Sequence, residues 1–389
     1  VNHTAILPAY RRSNITIVRG DGAYLFSADG NRYLDFATGI AVNSLGHCHP
    51  HVTKALKDQA DQLWHCSNMY RTAGLERFAE RLTSACFADQ VFFCNSGSEA
   101  VECAIKLARR FHYKNDSERY RIITMTGGFH GRTMACISAG GNAIAREGYA
   151  PLLDGFDVAE FNNISDVKQK ITPQTAAIMI EPIQGEGGVN VASREFLHDL
   201  RKLCDEQGLL LIFDEVQCGM GRSGRLFAHE VAGITPDIMT AAKGIGNGFP
   251  LAACLMTRDV ASCMSPGAHG STYGANPLAM AVGNAVLDVM LADGFLDHVE
   301  HIGALLKTKL HDLSQRFPAL IGEVRGQGLM LGMQMRIDHQ DFAQKLREAG
   351  LFTAPAYGGV IRIVPPLIID ESHAQEAAEK IMGVCEAWI

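Results

Sequence analysis

Five apolar runs of four or five residues constrain this chain more than any other feature: Val91-Phe-Phe-Cys94, Ile122-Ile-Thr-Met125, Ala176-Ala-Ile-Met-Ile180, Leu209-Leu-Leu-Ile-Phe213 and Leu251-Ala-Ala-Cys-Leu255. They are short for helices and too uniformly apolar for strands with one wet face, so they read as strands buried on both sides of a sheet. Between the third and fourth, Phe196, Leu197, Leu200, Leu203 and Cys204 mark one helical face, and Gly208 closes the helix. A strand-helix-strand connection of this length makes a parallel pair. The expectation is an α/β fold.

On either side the pattern changes. Residues 1–45 read as extended, with Tyr24-Leu-Phe and Arg32-Tyr-Leu-Asp-Phe flanking an Asp29-Gly30 turn. Val52, Leu56, Ala60 and Leu63 predict a helix after Pro50, and the apolar segment Ala275–Val289 begins a long helix. Beyond it, helical patterns near 296–316, 339–349 and 371–388 flank strand-like runs at 329–335 and 360–364. With 389 residues, 47% of them hydrophobic, the chain has material for two cores.

Several function classes are disfavoured. The net charge of −7 is spread without a Lys/Arg block, which argues against nucleic acid and for a small-molecule ligand. Eleven cysteines at irregular spacing, with no C-x-x-C pair, suggest neither a disulfide framework nor a zinc ribbon and fit a reducing cytoplasm. The N-terminus lacks a continuous apolar stretch of the secretory kind. The longest run without Asp, Glu, Lys or Arg, Val260–Leu287, is broken by Pro266, Asn276 and Pro277, so no membrane span is expected. Gly46-His-Cys-His-Pro50 offers adjacent ligands that rarely converge on one ion, and no metal is expected.

The chemistry-bearing motifs follow the strands. Asn95-Ser-Gly-Ser-Glu-Ala100 opens a helix, and Gly97 and Ser98 would let backbone amides approach a phosphate; an ordinary N-cap by Ser96 or Ser98 is the alternative. Thr126-Gly-Gly-Phe-His-Gly-Arg-Thr133 puts Phe129 where it could stack on a ring and Arg132 where it could grip a carboxylate, against core and surface roles. Asp214 follows an apolar run and needs a cation: a protonated pyridine, a helix end or an arginine would serve. Gly219-Met-Gly-Arg-Ser-Gly224 matches a dinucleotide fingerprint, but Asp214–Cys218 separate it from the strand end, so it reads as a decoy.

Lys243, in Thr240-Ala-Ala-Lys-Gly-Ile-Gly-Asn-Gly-Phe-Pro250, is either a solvated surface charge or a Schiff-base amine. Together with Asp214 it reads as the second end of a pyridoxal phosphate site.

These segments resemble the class III pyridoxal phosphate aminotransferases of fold type I through nearly the whole chain. The carriers are Gly39–Pro50, Asn95–Ala100, Phe129–Arg132, Glu181-Pro-Ile-Gln-Gly-Glu-Gly-Gly188, Phe213–Arg222 and His269-Gly-Ser-Thr-Tyr-Gly274. The resemblance implies a large domain over 46–288 with a mainly parallel seven-stranded sheet. It also implies a smaller α+β domain over 289–389, joined by the segment 1–45.

By the same resemblance Lys243 carries the cofactor and Asp214 pairs with its pyridine nitrogen, with Glu215 and Val216 beside it. Gln217 lies near the ring hydroxyl, Phe129 stacks on the ring, and Gly97 and Ser98 bind phosphate. Thr272 reaches the phosphate of a neighbouring subunit in a homodimer, and Arg132 and Ser271 contact substrate. Ser98, Val101 and Asn247 stand where the family commonly has Thr, Asn and Gly.

The implied reaction is ping-pong amino transfer to 2-oxoglutarate, as in arginine biosynthesis. Acetylornithine comes ahead of succinylornithine, succinyl-diaminopimelate, ornithine and 4-aminobutyrate as donor; an aminomutase or a non-catalytic cofactor binder is the alternative. Glu186 and Arg362 would pair for the ω-amino substrate and part for the carboxylate of glutamate; a purely structural ion pair is the bland reading.

Overall fold

The computed structural model describes residues 5–389; the first four residues of the N-terminal segment lie outside them. All five apolar runs are strands of one seven-stranded sheet. Across it lie Gln90–Cys94, Ala252–Met256, Ile238–Ala241, Leu210–Asp214, Thr175–Ile180, Arg121–Met125 and Phe156–Ala159. Ala252–Met256 runs antiparallel to both neighbours, and the other six share one direction. The sheet is therefore mainly parallel, as expected. Leu211, Ile212 and Phe213 have no exposure at all, and each such side chain contributes about 2 kcal/mol by leaving water.

Two strands were not anticipated. Phe156–Ala159 carries Asp157 and Ile238–Ala241 carries Thr240, polar residues that break the apolar signature. Asp157 forks Arg121 from the adjacent strand at 2.8 Å, while Thr240 stands in register with Asp214. Both polar groups are thus satisfied across the sheet.

The crossover helix runs Arg194–Gln207. Ser193 caps it by accepting from Phe196 N at 3.1 Å, and Gly208 ends it in the left-handed region at φ 62°. The helix after Pro50 is Pro50–Ala60, and the long apolar helix is Pro277–Met290, capped by Asn276 and packed on Pro50–Ala60 and Ala73–Ser84. No single helix among the described residues is long and apolar enough to cross a membrane.

The chain ends meet in two smaller sheets. Ile17–Asp21, Tyr24–Ser27 and Arg32–Asp35 form an antiparallel meander around the Asp29-Gly30 turn, and Leu351–Phe352 adds to Arg32–Asp35 in parallel. The second sheet orders Ile321–Gln327, Met330–Met335, Val360–Ile363 and Ala354–Ala356. Its first and last strands, rich in Gly and polar residues or only three residues long, had no clear signature in the sequence. The helices Phe295–Arg316, His339–Glu348 and Glu371–Trp388 fall where the periodicity placed them.

This topology decides where chemistry can occur. Five parallel strands end at Cys94, Met125, Ile180, Asp214 and Ala241, and each is followed at once by one of the motifs singled out above. Ligands bind in open α/β sheets at this edge.

Candidate active site

Asp214 is the hub. It is 3% exposed, and three donors converge on it: Thr240 Oγ1 at 3.0 Å and Val216 N at 3.1 Å on Oδ1, and His130 Nδ1 at 2.7 Å on Oδ2. A carboxylate has about four acceptor sites, so one remains for a further donor. Burial opposes a charged His130, but the hydrogen bond and charge of Asp214 outweigh it and hold the imidazole above its ordinary range. Nearby, Glu181 accepts from Phe129 N at 2.9 Å and Gly185 N at 3.3 Å, and burial pushes its carboxyl up.

The helix Gly97–Lys114 starts beside this hub. Ser96 caps it, accepting from Glu99 N, while the Glu99 carboxylate folds back onto Asn95 N at 2.9 Å. The amides of Gly97 and Ser98 precede the first intrahelical bond and are available to an anion. Space is tight around them. A Cβ on Gly97 would lie 2.9 Å from Val216 Cγ1, and one on Gly131 would lie 2.3 Å from Ser98 Oγ, which itself accepts from Arg132 N at 3.1 Å. Only a bare backbone lets these segments draw together.

Lys243 follows the strand Ile238–Ala241 in a 3₁₀ turn, with its φ at 49°. The residue keeps a little exposure, yet burial, reinforced by the Arg362 cation, draws its amine down to about 8. Glu186, Glu181 and Asp214 oppose that shift. Asn247 also has a left-handed φ, 42°, and its side chain accepts from Leu45 N at 2.7 Å and donates to Gly46 O at 3.2 Å. It anchors the lysine loop to the segment Gly39–Pro50, a job glycine could not do.

Arg362 reaches the site from the second small sheet. It is 1% exposed and forks Glu186 with contacts of 2.6 and 3.2 Å, while Gln217 Oε1 accepts from its Nη1 at 3.0 Å. Burial pushes the Glu186 carboxyl up, but Arg362, with a smaller contribution from Lys243, carries it below its usual range. Gln217 therefore stands on the guanidinium, and Gly185 packs against its amide.

The remaining named residues divide by where they point. Phe129 is partly buried, with the exposed Arg132 guanidinium 5.1 Å from its ring centre. Ser271 Oγ accepts from Asn95 Nδ2 at 3.2 Å and Gly274 N at 3.0 Å, which brings its loop to the phosphate helix; Thr272 beside it is exposed. Glu215 turns away from Asp214 and accepts from the backbone of Ala228 and His229. The Gly219–Gly224 segment forms turns and opens no helix. His47 is held by Asp35 at 2.8 Å.

Sequence reasoning left His130, Thr240 and Glu181 without roles. His130 stood inside a quoted motif, but its partner is 84 residues away; Thr240 could be found only from strand register.

The pattern of the class-III aminotransferase family matches residues 7–384. An acetylornithine aminotransferase of Agrobacterium fabrum is 53% identical over 377 residues, covering 97% of this chain and 94% of that protein. Among solved structures, an ornithine aminotransferase of Toxoplasma gondii superposes with TM-score 0.94 at 32% identity, over 99% of this chain and 93% of its own. An amine transaminase from an uncultivated Pseudomonas species, solved in its PLP-bound internal aldimine form, gives TM-score 0.92 at 31% identity, over 100% and 97%. The chain belongs to the class III aminotransferases.

Proposed function

We propose that this chain is a pyridoxal phosphate-dependent acetylornithine aminotransferase. It transfers the δ-amino group of N2-acetylornithine to 2-oxoglutarate and yields N-acetylglutamate 5-semialdehyde and glutamate. The carrying observation is the Glu186–Arg362 ion pair beside the Lys243 amine. The relatives named acetylornithine aminotransferase support the donor.

The residues fit the cofactor. Lys243 would hold its aldehyde carbon, Asp214 its pyridine nitrogen through the one acceptor site left free, Gly97 and Ser98 its phosphate, and Phe129 and Val216 its ring faces. Thr272 of a second copy would complete the phosphate site. When bound, pyridoxal phosphate supplies an electron sink and a temporary store for the amino group.

The protein's own work is positioning and proton transfer. With an amine near 8, Lys243 is neutral in roughly one molecule in ten at pH 7, against about one in 2,500 for an ordinary lysine. Its Nζ can take the proton from the carbon bearing the substrate amine and return it on the other side of the transfer. His130 and Thr240 hold the Asp214 carboxylate in one orientation toward the pyridine nitrogen it would meet.

Arg362 resolves the two-substrate problem. The δ-amino end of acetylornithine brings no carboxylate, and Glu186 then keeps the guanidinium paired. Glutamate brings one next to its reacting carbon and takes the place of Glu186, so no buried charge is left uncompensated in either half-reaction. Gln217 keeps the guanidinium in place during the exchange, and Arg132 and Ser271 bind the distal acetylated end.

Two finer points belong to the same reading. A homodimer is supported by exposed Trp64, Met69, Tyr70 and Tyr273 beside the Ser271 loop, and a cytoplasmic setting by eleven unpaired cysteines. The test is direct: with pyridoxal phosphate and 2-oxoglutarate, acetylornithine should drive glutamate formation with a higher kcat/KM than ornithine or 4-aminobutyrate. A preference for either of those would overturn the donor assignment.

A further inference from the structure

Glu181 is a buried acid that the transfer chemistry leaves unused. It stands directly after the strand Thr175–Ile180 and is 6% exposed. Its two oxygens are divided between two loops: Oε2 accepts from Phe129 N at 2.9 Å and Oε1 from Gly185 N at 3.3 Å. Phe129, on the loop after Arg121–Met125, is the residue proposed for one face of the cofactor ring. Gly185 immediately precedes Glu186, the acid that forks Arg362.

The two loops are packed too closely to adjust independently. Gln184 Nε2 donates to Thr126 O at 2.7 Å, and a Cβ on Gly187 would lie 2.6 Å from Gly127 O. On its far side the Glu186 segment is held by the small-sheet region, through Tyr357 N on Glu186 O at 3.0 Å and Arg325 Nε on Gly188 O at 2.9 Å. The backbone around Glu186 is thus fixed, and what can move is its side chain. Glu181 joins the Phe129 amide to the peptide before Glu186 through a single side chain. One N–H on each oxygen favours a carboxylate, which only accepts, against the upward push of burial. A glutamine of the same shape would turn its NH₂ toward one of those N–H groups and leave two buried donors face to face.

We propose that Glu181 is a positioning residue that sets the Phe129 ring and the Glu186 carboxylate relative to each other. The role rests on the aminotransferase reading, in which Phe129 covers the cofactor and Glu186 pairs with Arg362 while the ω-amino substrate is bound. Without the Glu181 carboxylate, Phe129 loosens and Glu186 loses its alignment with Arg362. The guanidinium is then stripped of its partner in the half-reaction whose substrate brings no carboxylate at that end. Glutamate supplies that partner itself, so its half-reaction loses less.

The experiment compares wild type with Glu181→Gln, both full length and loaded with pyridoxal phosphate. In hydrogen exchange read by mass spectrometry, peptides covering 126–133 and 182–188 should exchange at least about tenfold faster in the variant, with the strand peptides unchanged. The visible circular dichroism of the bound cofactor should weaken while its absorption band remains, since Lys243 and Asp214 are intact. In single-turnover mixing, the acetylornithine rate should fall about tenfold more than the glutamate rate, a split that a general loss of stability would not produce. Should Glu181→Gln not fold, Glu181→Asp, with both oxygens on a shorter arm, carries the same comparison. Equal losses in the two half-reactions, or loops that exchange as in wild type, would overturn the role. If wild type converts neither amine, the aminotransferase reading fails instead, and the exchange rates alone then decide whether Glu181 holds the two loops.

Discussion

Arg222 and Arg362 are the two largest side chains buried almost completely, each 1% exposed, and they differ in what surrounds them. Arg222 donates to the carbonyls of Leu329 and Pro365 and to Ser44 Oγ at 3.5 Å, and among the described residues no carboxylate pairs with it. Its Nε has no partner, and burial draws the guanidinium down to about 9. Arg362 also donates to the carbonyls of Ala354 at 3.4 Å and Pro355 at 3.2 Å, but its charge faces the Glu186 carboxylate, which is itself 30% exposed. A buried cation held by fixed carbonyls is a clamp, tying the turn after Asp214 to both small-sheet segments. A buried cation held by a releasable acid is a receptor. The difference lies in the partner and not in the arginine.

The predictions press on that distinction. The largest effect belongs to the amine the receptor serves: Lys243→Ala should lower kcat by roughly 10⁴-fold, the scale of a lost positioned acid–base group, in steady-state assays with folding unchanged by circular dichroism. Arg222→Ala should act on stability, costing about 3 kcal/mol in urea unfolding through the cavity and the stranded carbonyls. An unchanged midpoint would mean that relief of the buried charge cancels the lost clamp.

Arg362→Ala should lose some stability as well, since it strands Glu186 and the carbonyls of Ala354 and Pro355, but its distinguishing effect should be on one half-reaction. In single-turnover kinetics it should weaken the glutamate half-reaction by about 2–3 kcal/mol, or about 30- to 160-fold, and the acetylornithine half-reaction far less. Equal losses in both would reduce Arg362 to a second clamp.

The smallest effect is a pH slope. The folded pKa of Lys243 lies below the unfolded value of 10.5, so below about pH 8 both states are protonated and the folded one bears the burial cost. Between about 8 and 10.5 the unfolded state binds more protons, and stability rises with pH. Cofactor-free wild type should therefore gain on Lys243→Met by an amount on the order of 1 kcal/mol per pH unit across that window. A constant gap between the two urea midpoints would remove the buried amine from the account.

Much of this was legible before the fold was seen, for a physical reason. Strands buried on both faces must be apolar throughout, so the runs ending near Cys94, Met125, Ile180 and Phe213 announced themselves, and the residues after them marked the ligand edge. Strand direction leaves no such trace. Nothing in Leu251-Ala-Ala-Cys-Leu255 distinguishes the one antiparallel strand from its neighbours.

Pairings across long separations were equally silent. The roles of His130 on Asp214 and Gln217 on Arg362 depend on which loops the sheet order brings side by side. Glu186 and Arg362, 176 residues apart, came into view only through resemblance to a family, and the arrangement of their contacts came from the fold.

The most direct measurement is a half-reaction on the wild-type protein loaded with pyridoxal phosphate. Each amine is mixed alone with the enzyme, and conversion to the pyridoxamine form is followed by visible absorption. The account predicts rapid conversion by both acetylornithine and glutamate, with slower conversion by ornithine and 4-aminobutyrate. Conversion by acetylornithine but not glutamate, or by ornithine fastest of all, would contradict it.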